Sequence, residues 1–206
     1  LKILELLGII FINENRYSEA IDTYDRLIVI DPYQKYYYNQ IAQSYLELRN
    51  YKQAKLYYQK VLSFDEENPE ILFSIGEISN ILNEYNQAEE YFLESIYCGF
   101  KTKELLFQLG LAYGGQKKYL QALEVFREAL LYSPEDPILH YQLGIVLKEL
   151  EIYDLAINEF IKYLEYHNND AVVYRMVGEC YYFINNFDNA IQYLLKSVKL
   201  FNNEDS

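Results

Sequence analysis

The side chains of this 206-residue chain best equipped for nucleophilic, redox or metal chemistry are few: Cys98, Cys180, His140 and His167. A zinc ion needs thiolates or imidazoles a few residues apart, where a turn or one helix face can gather them. Neither histidine has a second histidine or cysteine at such a spacing, so no metal and no cofactor is expected. Covalent catalysis needs a nucleophile within reach of an oriented base. No glycine-rich phosphate loop follows a strand pattern. The acidic run Asp65-Glu66-Glu67 remains as a candidate for acid–base work. It precedes a helix start, where negative charge is favoured by the helix macrodipole, so it reads as a solvated turn. The chain is expected not to be an enzyme.

Charge narrows the partners further. With 18 Lys and Arg against 31 Asp and Glu, the formal net charge is −13. Binding to phosphate backbones calls for a concentrated basic face, so nucleic acid is excluded, and an anionic membrane surface is no better a match. The longest apolar run, around Leu6 to Ile12, falls far short of the roughly 20 residues a membrane span needs. A protein or peptide is the partner class that remains.

The elements that would carry any site follow a strict period. Ala20, Ala54, Ala88, Ala122, Ala156 and Ala190 recur every 34 residues without insertion or deletion. An aromatic stands three residues before each (Tyr17, Tyr51, Tyr85, Tyr119, Tyr153, Phe187), and another four after most of them (Tyr24, Tyr58, Phe92, Phe126, Phe160, with Leu194 last). The eighth position of each copy reads Gly8, Ala42, Gly76, Gly110, Gly144 and Gly178. Glycine inside a helix costs about 1 kcal/mol relative to alanine, so a recurring glycine implies two helices that approach too closely for a side chain. Half of the 24 tyrosines occupy the fourth, eleventh, seventeenth and twenty-fourth positions, which makes them packing residues.

This pattern resembles the tetratricopeptide repeat, in which a W-x2-L-G-x2-Y segment is followed by A-x3-F and then Pro. The fourth position departs from the family's tryptophan, being Leu4, Tyr38, Leu72, Leu106, His140 and Tyr174, but keeps its bulk. The resemblance implies an all-α fold, a right-handed α-α superhelix (solenoid) of six helix-turn-helix repeats, 1–34, 35–68, 69–102, 103–136, 137–170 and 171–204, forming one domain over 1–206. In the fourth copy, Leu105, Leu106, Leu109 and Tyr113 mark a first helix, Gln116 to Lys118 a turn, and Ala122, Val125, Phe126 and Ala129 a second helix. Ser18, Asn86, Asp154 and Asp188 are read as N-caps of second helices, with Glu89 completing a capping box after Asn86. Pro69 and Pro137 sit behind Asn68 and Asp136 in the first turn of first helices. Pro32, Pro134, Gly99-Phe100 and Asn168-Asn169 stop second helices. Because a repeat contacts only its neighbours, no disulfide joins Cys98 to Cys180, and Cys180 reads as a buried, inert thiol.

In proteins this chain resembles, first helices line the inner wall, and positions 2, 5, 6, 9, 12 and 13 face the ligand. Carried onto this sequence, the groove comprises Asn39, Gln40, Gln43, Phe73, Glu77, Phe107, Gln108, Leu111, Tyr141, Gln142, Arg175 and Glu179. Phe73, Phe107 and Tyr141 would receive apolar side chains of an extended peptide while Gln40, Gln108 and Gln142 bond its backbone. The alternative is that these rings pack between adjacent first helices. The chaperone-adaptor members place Lys at position 5 to grip a terminal carboxylate. Here the only basic residue in that column is Arg175, so that subtype is rejected. Wall acids at Glu5, Glu47, Glu70, Glu77, Glu104, Glu149 and Glu179 outnumber Lys2, Lys148 and Arg175, which favours a neutral to basic partner with apolar anchors. Gly114 and Gly115, at positions 12 and 13, either end their helix early or let a ligand come close.

The last helix presents Ile191, Leu194, Leu195, Val198 and Phe201 with no polar cap, so end-to-end self-association is expected, and the chain reads as a segment of a longer protein. A groove scaffold is the main functional reading. The alternatives are a targeting arm of a larger glycosyltransferase or methyltransferase, and a structural part of a bacterial envelope or secretion apparatus. Free cysteines suit the cytoplasm, with the periplasm left open.

Overall fold

In the computed structural model, which describes residues 1–65 and 67–204, the three-to-four apolar spacing becomes helix throughout. The helices are α1 (Lys2–Asn13), α2 (Tyr17–Ile30), α3 (Lys35–Glu47), α4 (Tyr51–Leu62), α5 (Pro69–Ile81), α6 (Tyr85–Tyr97), α7 (Lys103–Gly115), α8 (Tyr119–Tyr132), α9 (Pro137–Glu149), α10 (Tyr153–Tyr166), α11 (Ala171–Phe183) and α12 (Phe187–Glu204). No strand occurs among the described residues. From α3 onward, first helices start one 34-residue step apart, as the alanine frame predicts. The chain divides into two compact units, Leu1–Lys101 and Thr102–Ser206. In the first, α1/α2, α3/α4 and α5/α6 pair as hairpins that stack through α2–α3 and α4–α5. In the second, α7/α8, α9/α10 and α11/α12 stack through α8–α9 and α10–α11.

The hairpin turn carries a signal that the sequence pattern did not reveal. Asn15, Arg49, Asn83, Lys117, Glu151 and Asn185, all at the fifteenth position, adopt φ between 54° and 61°. Each follows the same bonding scheme: Asn15 N–H donates to Ile12 C=O at 2.9 Å and Arg16 N–H to Phe11 C=O at 2.8 Å. These are the two bonds of a Schellman motif, which satisfies the last carbonyls of the first helix. The motif passes straight into the second helix, which begins at the aromatic of position 17. That corrects the predicted N-caps, because Ser18, Asn86, Asp154 and Asp188 stand one residue inside their helices. The capping position is two residues earlier, and there Asn50 accepts from Gln53 N–H at 3.4 Å and Asn186 from Asn189 N–H at 3.4 Å. The physical reason is economy of chain: one residue closes the first helix and opens the second.

First-helix starts behave as expected. Pro69 and Pro137 occupy the first turn, and Asn68 and Asp136 accept from Ile71 N–H at 3.1 Å and Ile138 N–H at 3.0 Å. Thr102 and Asp170 cap α7 and α11 in the same way. Gly99 closes α6 with φ 91°, as its sequence implies. Asn168 and Asn169 end α10 without a left-handed residue, through a turn in which Asp170 N–H donates to His167 C=O at 3.3 Å.

The recurring alanines are buried, and beside them lie the buried rings of Tyr24, Tyr58, Phe92, Phe126 and Phe160. These rings explain the glycine column. A Cβ added at Gly76 would stand 2.5 Å from Phe92, at Gly144 2.5 Å from Phe160, at Gly8 2.8 Å from Tyr24 and at Gly178 2.7 Å from Leu194, and Gly110 faces Phe126 in the same way. At these five glycines close packing leaves no room for a methyl group, whereas Ala42 fits one into the core cluster of Tyr58.

Candidate functional site

The face of each first helix turned away from its hairpin partner's ring is set by the same geometry. From α3 onward, positions 3, 7 and 8 go to the core, so positions 6 and 9 are left outward, with position 5 at the margin. In the first unit, Asn39 and Gln40 are half-buried and Gln43 is exposed on α3, while Phe73 and Glu77 are half-buried on α5. In the second, Phe107, Gln108 and Leu111 on α7, Tyr141 and Gln142 on α9, and Glu179 on α11 are half-buried, and Arg175 is exposed.

The three rings make their ring contacts within their own repeats. Phe73 lies 5.9 Å from Phe92 and 5.6 Å from Phe100, Phe107 6.0 Å from Phe126, and Tyr141 6.3 Å from Phe160 and 5.1 Å from Tyr163. Each leans on the second helix of its own repeat. Part of every ring is therefore core, and only the remainder can meet a ligand.

On α11 the groove charges are paired. Arg175 donates to Glu179, and Lys148 of α9 donates to the same carboxylate at 2.5 Å. Burial pushes the Glu179 carboxyl up, but the two cations outweigh it and hold the group below its ordinary value. Arg175 is thus not the free cation its column suggested. On α5, burial raises the Glu77 carboxyl. Asn39 Oδ1 is buried without a hydrogen-bond partner.

Leu111 and Gln142 are brought together, on either side of a cavity of 380 Å³ between α7 and α9. Ile145, Val146 and Phe126 complete its apolar lining, and Glu149 stands at its edge, where Tyr119 donates to Oε2 at 3.1 Å. Burial, with Glu149 beside it, raises the Tyr119 hydroxyl. Gly114 and Gly115 also line this cavity, and α7 is as long as α9, so the pair does not end its helix early. The sequence reading missed Ile145, Val146 and Tyr119. Position 9 was the signal for Ile145, whereas Val146 and Tyr119 belong to columns otherwise spent on packing.

The reactive side chains have structural surroundings. His140 is buried with Nδ1 2.6 Å from Glu159 Oε2 and Nε2 3.0 Å from the Pro134 carbonyl. Tyr38, at the equivalent position, donates to the Pro32 carbonyl at 3.0 Å. Both cysteines are free thiols, Cys98 half-buried and Cys180 buried, and burial pushes the Cys180 thiol up to about 11. Of the acidic run, Glu66 lies outside the described residues, and Asp65 pairs with Lys35 at 3.0 Å. Among the described residues, no group of three or more His, Cys, Asp or Glu could hold a metal ion, and no helix is long and apolar enough to cross a membrane.

Comparison with known proteins bears on what this scaffold is. Family models described as tetratricopeptide repeat match residues 3–32, 36–68, 69–97, 103–136 and 171–204. No curated protein matches the chain. Among solved structures, YrrB, described as a TPR protein with an unusual peptide-binding site, is 19% identical with a TM-score of 0.77 over 88% of this chain and 93% of its own. MamA of Desulfovibrio magneticus RS-1 is 20% identical with a TM-score of 0.78, over 84% and 97% of the two chains. PilF of Pseudomonas aeruginosa is 20% identical with a TM-score of 0.71, over 97% and 91%. At these identities the likeness is one of fold.

Proposed function

Because the chain belongs to the tetratricopeptide repeat family of protein-interaction scaffolds, we propose that it works without catalysis, as one array of six repeats whose first helices hold a peptide or partner helix. The observation that carries this reading is the α7–α9 cavity. It lies on the face that the resemblance assigns to ligands, and its lining is apolar with few polar groups, as in binding sites generally. The half-buried amides Gln40 and Gln142 can exchange hydrogen bonds with an extended backbone. An excess of acids on the wall favours a neutral to basic segment with apolar anchors. The peptide-binding site named for YrrB is a precedent on the same fold.

Affinity capture with the intact chain, repeated with Phe107→Ala and Gln108→Ala together, tests it. Loss of one captured protein by the double variant, with its helix content unchanged, is the expected result. Retention of every captured protein would move binding to the outer faces.

A second reading, contact between copies, is supported by two exposed faces. Ile3 is 83% exposed, whereas Tyr37, its counterpart one repeat later, is 1% exposed. Ile191 is 57% exposed, whereas Ile157 at the same position of the preceding repeat is 4% exposed. Columns that seal one repeat to the next are apolar on α1 and α12, and no described residue covers them there. A second copy's α1 laid on α12 would bury both, a head-to-tail contact that propagates. Light scattering should show growth with concentration that Ile191→Glu with Val198→Glu abolishes. A strict monomer at high concentration would sink the idea.

A further inference from the structure

The cavity between α7 and α9 is not required by the packing around it. The eighth-column glycines are each held by a side chain of the second helix, but a Cβ added at Gly114 meets no atom within 4 Å. Core packing therefore imposes no glycine there, and the missing side chain leaves open space on the ligand-facing side of α7. Leu111, Ile145 and Val146 give that space apolar walls. At 380 Å³ it falls at the small end of the roughly 300–1,000 Å³ typical of ligand sites, a size for a side chain and its flanking backbone. Glu149, exposed and oriented by the Tyr119 hydroxyl, is the single charged residue of the lining.

Resting on the groove reading above, we infer that this cavity is its anchor subsite: it takes one aliphatic side chain of an extended peptide and sets an adjacent basic side chain against Glu149. The aliphatic group replaces water against Leu111, Ile145 and Val146. Gln142 is placed to bond the peptide backbone beside it. A lysine or arginine next to the anchor meets a carboxylate with no cation in the lining to compete for it, whereas an acidic residue there meets like charge.

The probe is the capped peptide Gly-Ser-Leu-Arg-Ser-Gly, titrated into isotope-labelled protein and followed by NMR, with control peptides carrying Ala for Leu or Glu for Arg. The leucine–arginine peptide should shift the Gly114 and Ile145 amides, and each control should bind about tenfold more weakly. Gly114→Leu, which fills the cavity from within, should weaken binding by about tenfold, and Glu149→Gln should remove the preference for arginine over glutamate. Gly114→Ala serves as the folding control and should keep an unaltered helical spectrum. No shift with the leucine–arginine peptide, equal binding of the alanine control, or unchanged affinity in Gly114→Leu would each overturn the subsite. If Gly114→Leu still captures the protein that Phe107→Ala with Gln108→Ala loses, the subsite falls and the groove stands.

Discussion

At the scale of single residues, two kinds of glycine share one helix type and should respond to alanine in opposite ways. Gly144→Ala drives a methyl group to 2.5 Å from the Phe160 ring, so overpacking of roughly 1–3 kcal/mol outweighs the helical gain, and the urea midpoint should fall. Gly114→Ala meets open space and should raise stability by up to about 1 kcal/mol, the propensity difference alone. The left-handed turn residues invite the converse change. Lys117 and Glu151 hold φ 61° with side chains that disfavour it, so Glu151→Gly should stabilise by roughly 0.5–1 kcal/mol in thermal melts. Thiol labelling of the native chain at neutral pH should modify half-buried Cys98 first, with Cys180 reacting only on unfolding. The glycine and alanine columns could be read from the sequence because each is a choice of size. The left-handed column could not, because Asn, Arg, Lys and Glu share no property that marks it.

At the scale of helices, the link between α9 and α11 joins a packing contact to a titratable one. Glu179 has a folded pKa below its ordinary value of 4.5, so its contribution is fully present above that value and is lost as pH falls through the lowered one. Glu179→Gln should therefore cost up to about 1 kcal/mol near neutrality, the range for partly exposed pairs, and the difference from the parent chain should shrink as pH falls below 4.5 in urea titrations. Equal stability of the two proteins at pH 7 would show that Lys148 and Arg175 gain nothing from the carboxylate. Helix number and spacing were legible in the sequence because the apolar period survives in every copy. The start of the second helices was misplaced, since Ser18 and Asp154 look like caps until the Schellman turn has used the residues before them.

At the scale of the whole molecule, a formal charge of −13 opposes any approach between copies. If α12 receives α1 of a second copy, salt must favour assembly: screening shortens the reach of repulsion from about 30 Å at 0.01 M to 10 Å at 0.1 M, while the apolar contact is untouched. Sedimentation should thus show larger species as salt rises, and the opposite trend would point to ion pairs in place of the Ile191 face. Binding of a basic peptide to the groove should respond the other way, weakening with salt.

The fold class and the register of all six helical hairpins were fixed by side-chain size and spacing, which recur in every copy and need no knowledge of distant contacts. The candidate site was decided only in three dimensions. Phe73, Phe107 and Tyr141 were drawn partly into the core by rings nineteen to twenty-two residues away, Arg175 was taken up by Glu179, and space opened beside Gly114 between α7 and α9, whose shared period does not by itself set the gap between them. A period specifies what each column buries. How much of a side chain is left over for a partner depends on the particular neighbours it meets.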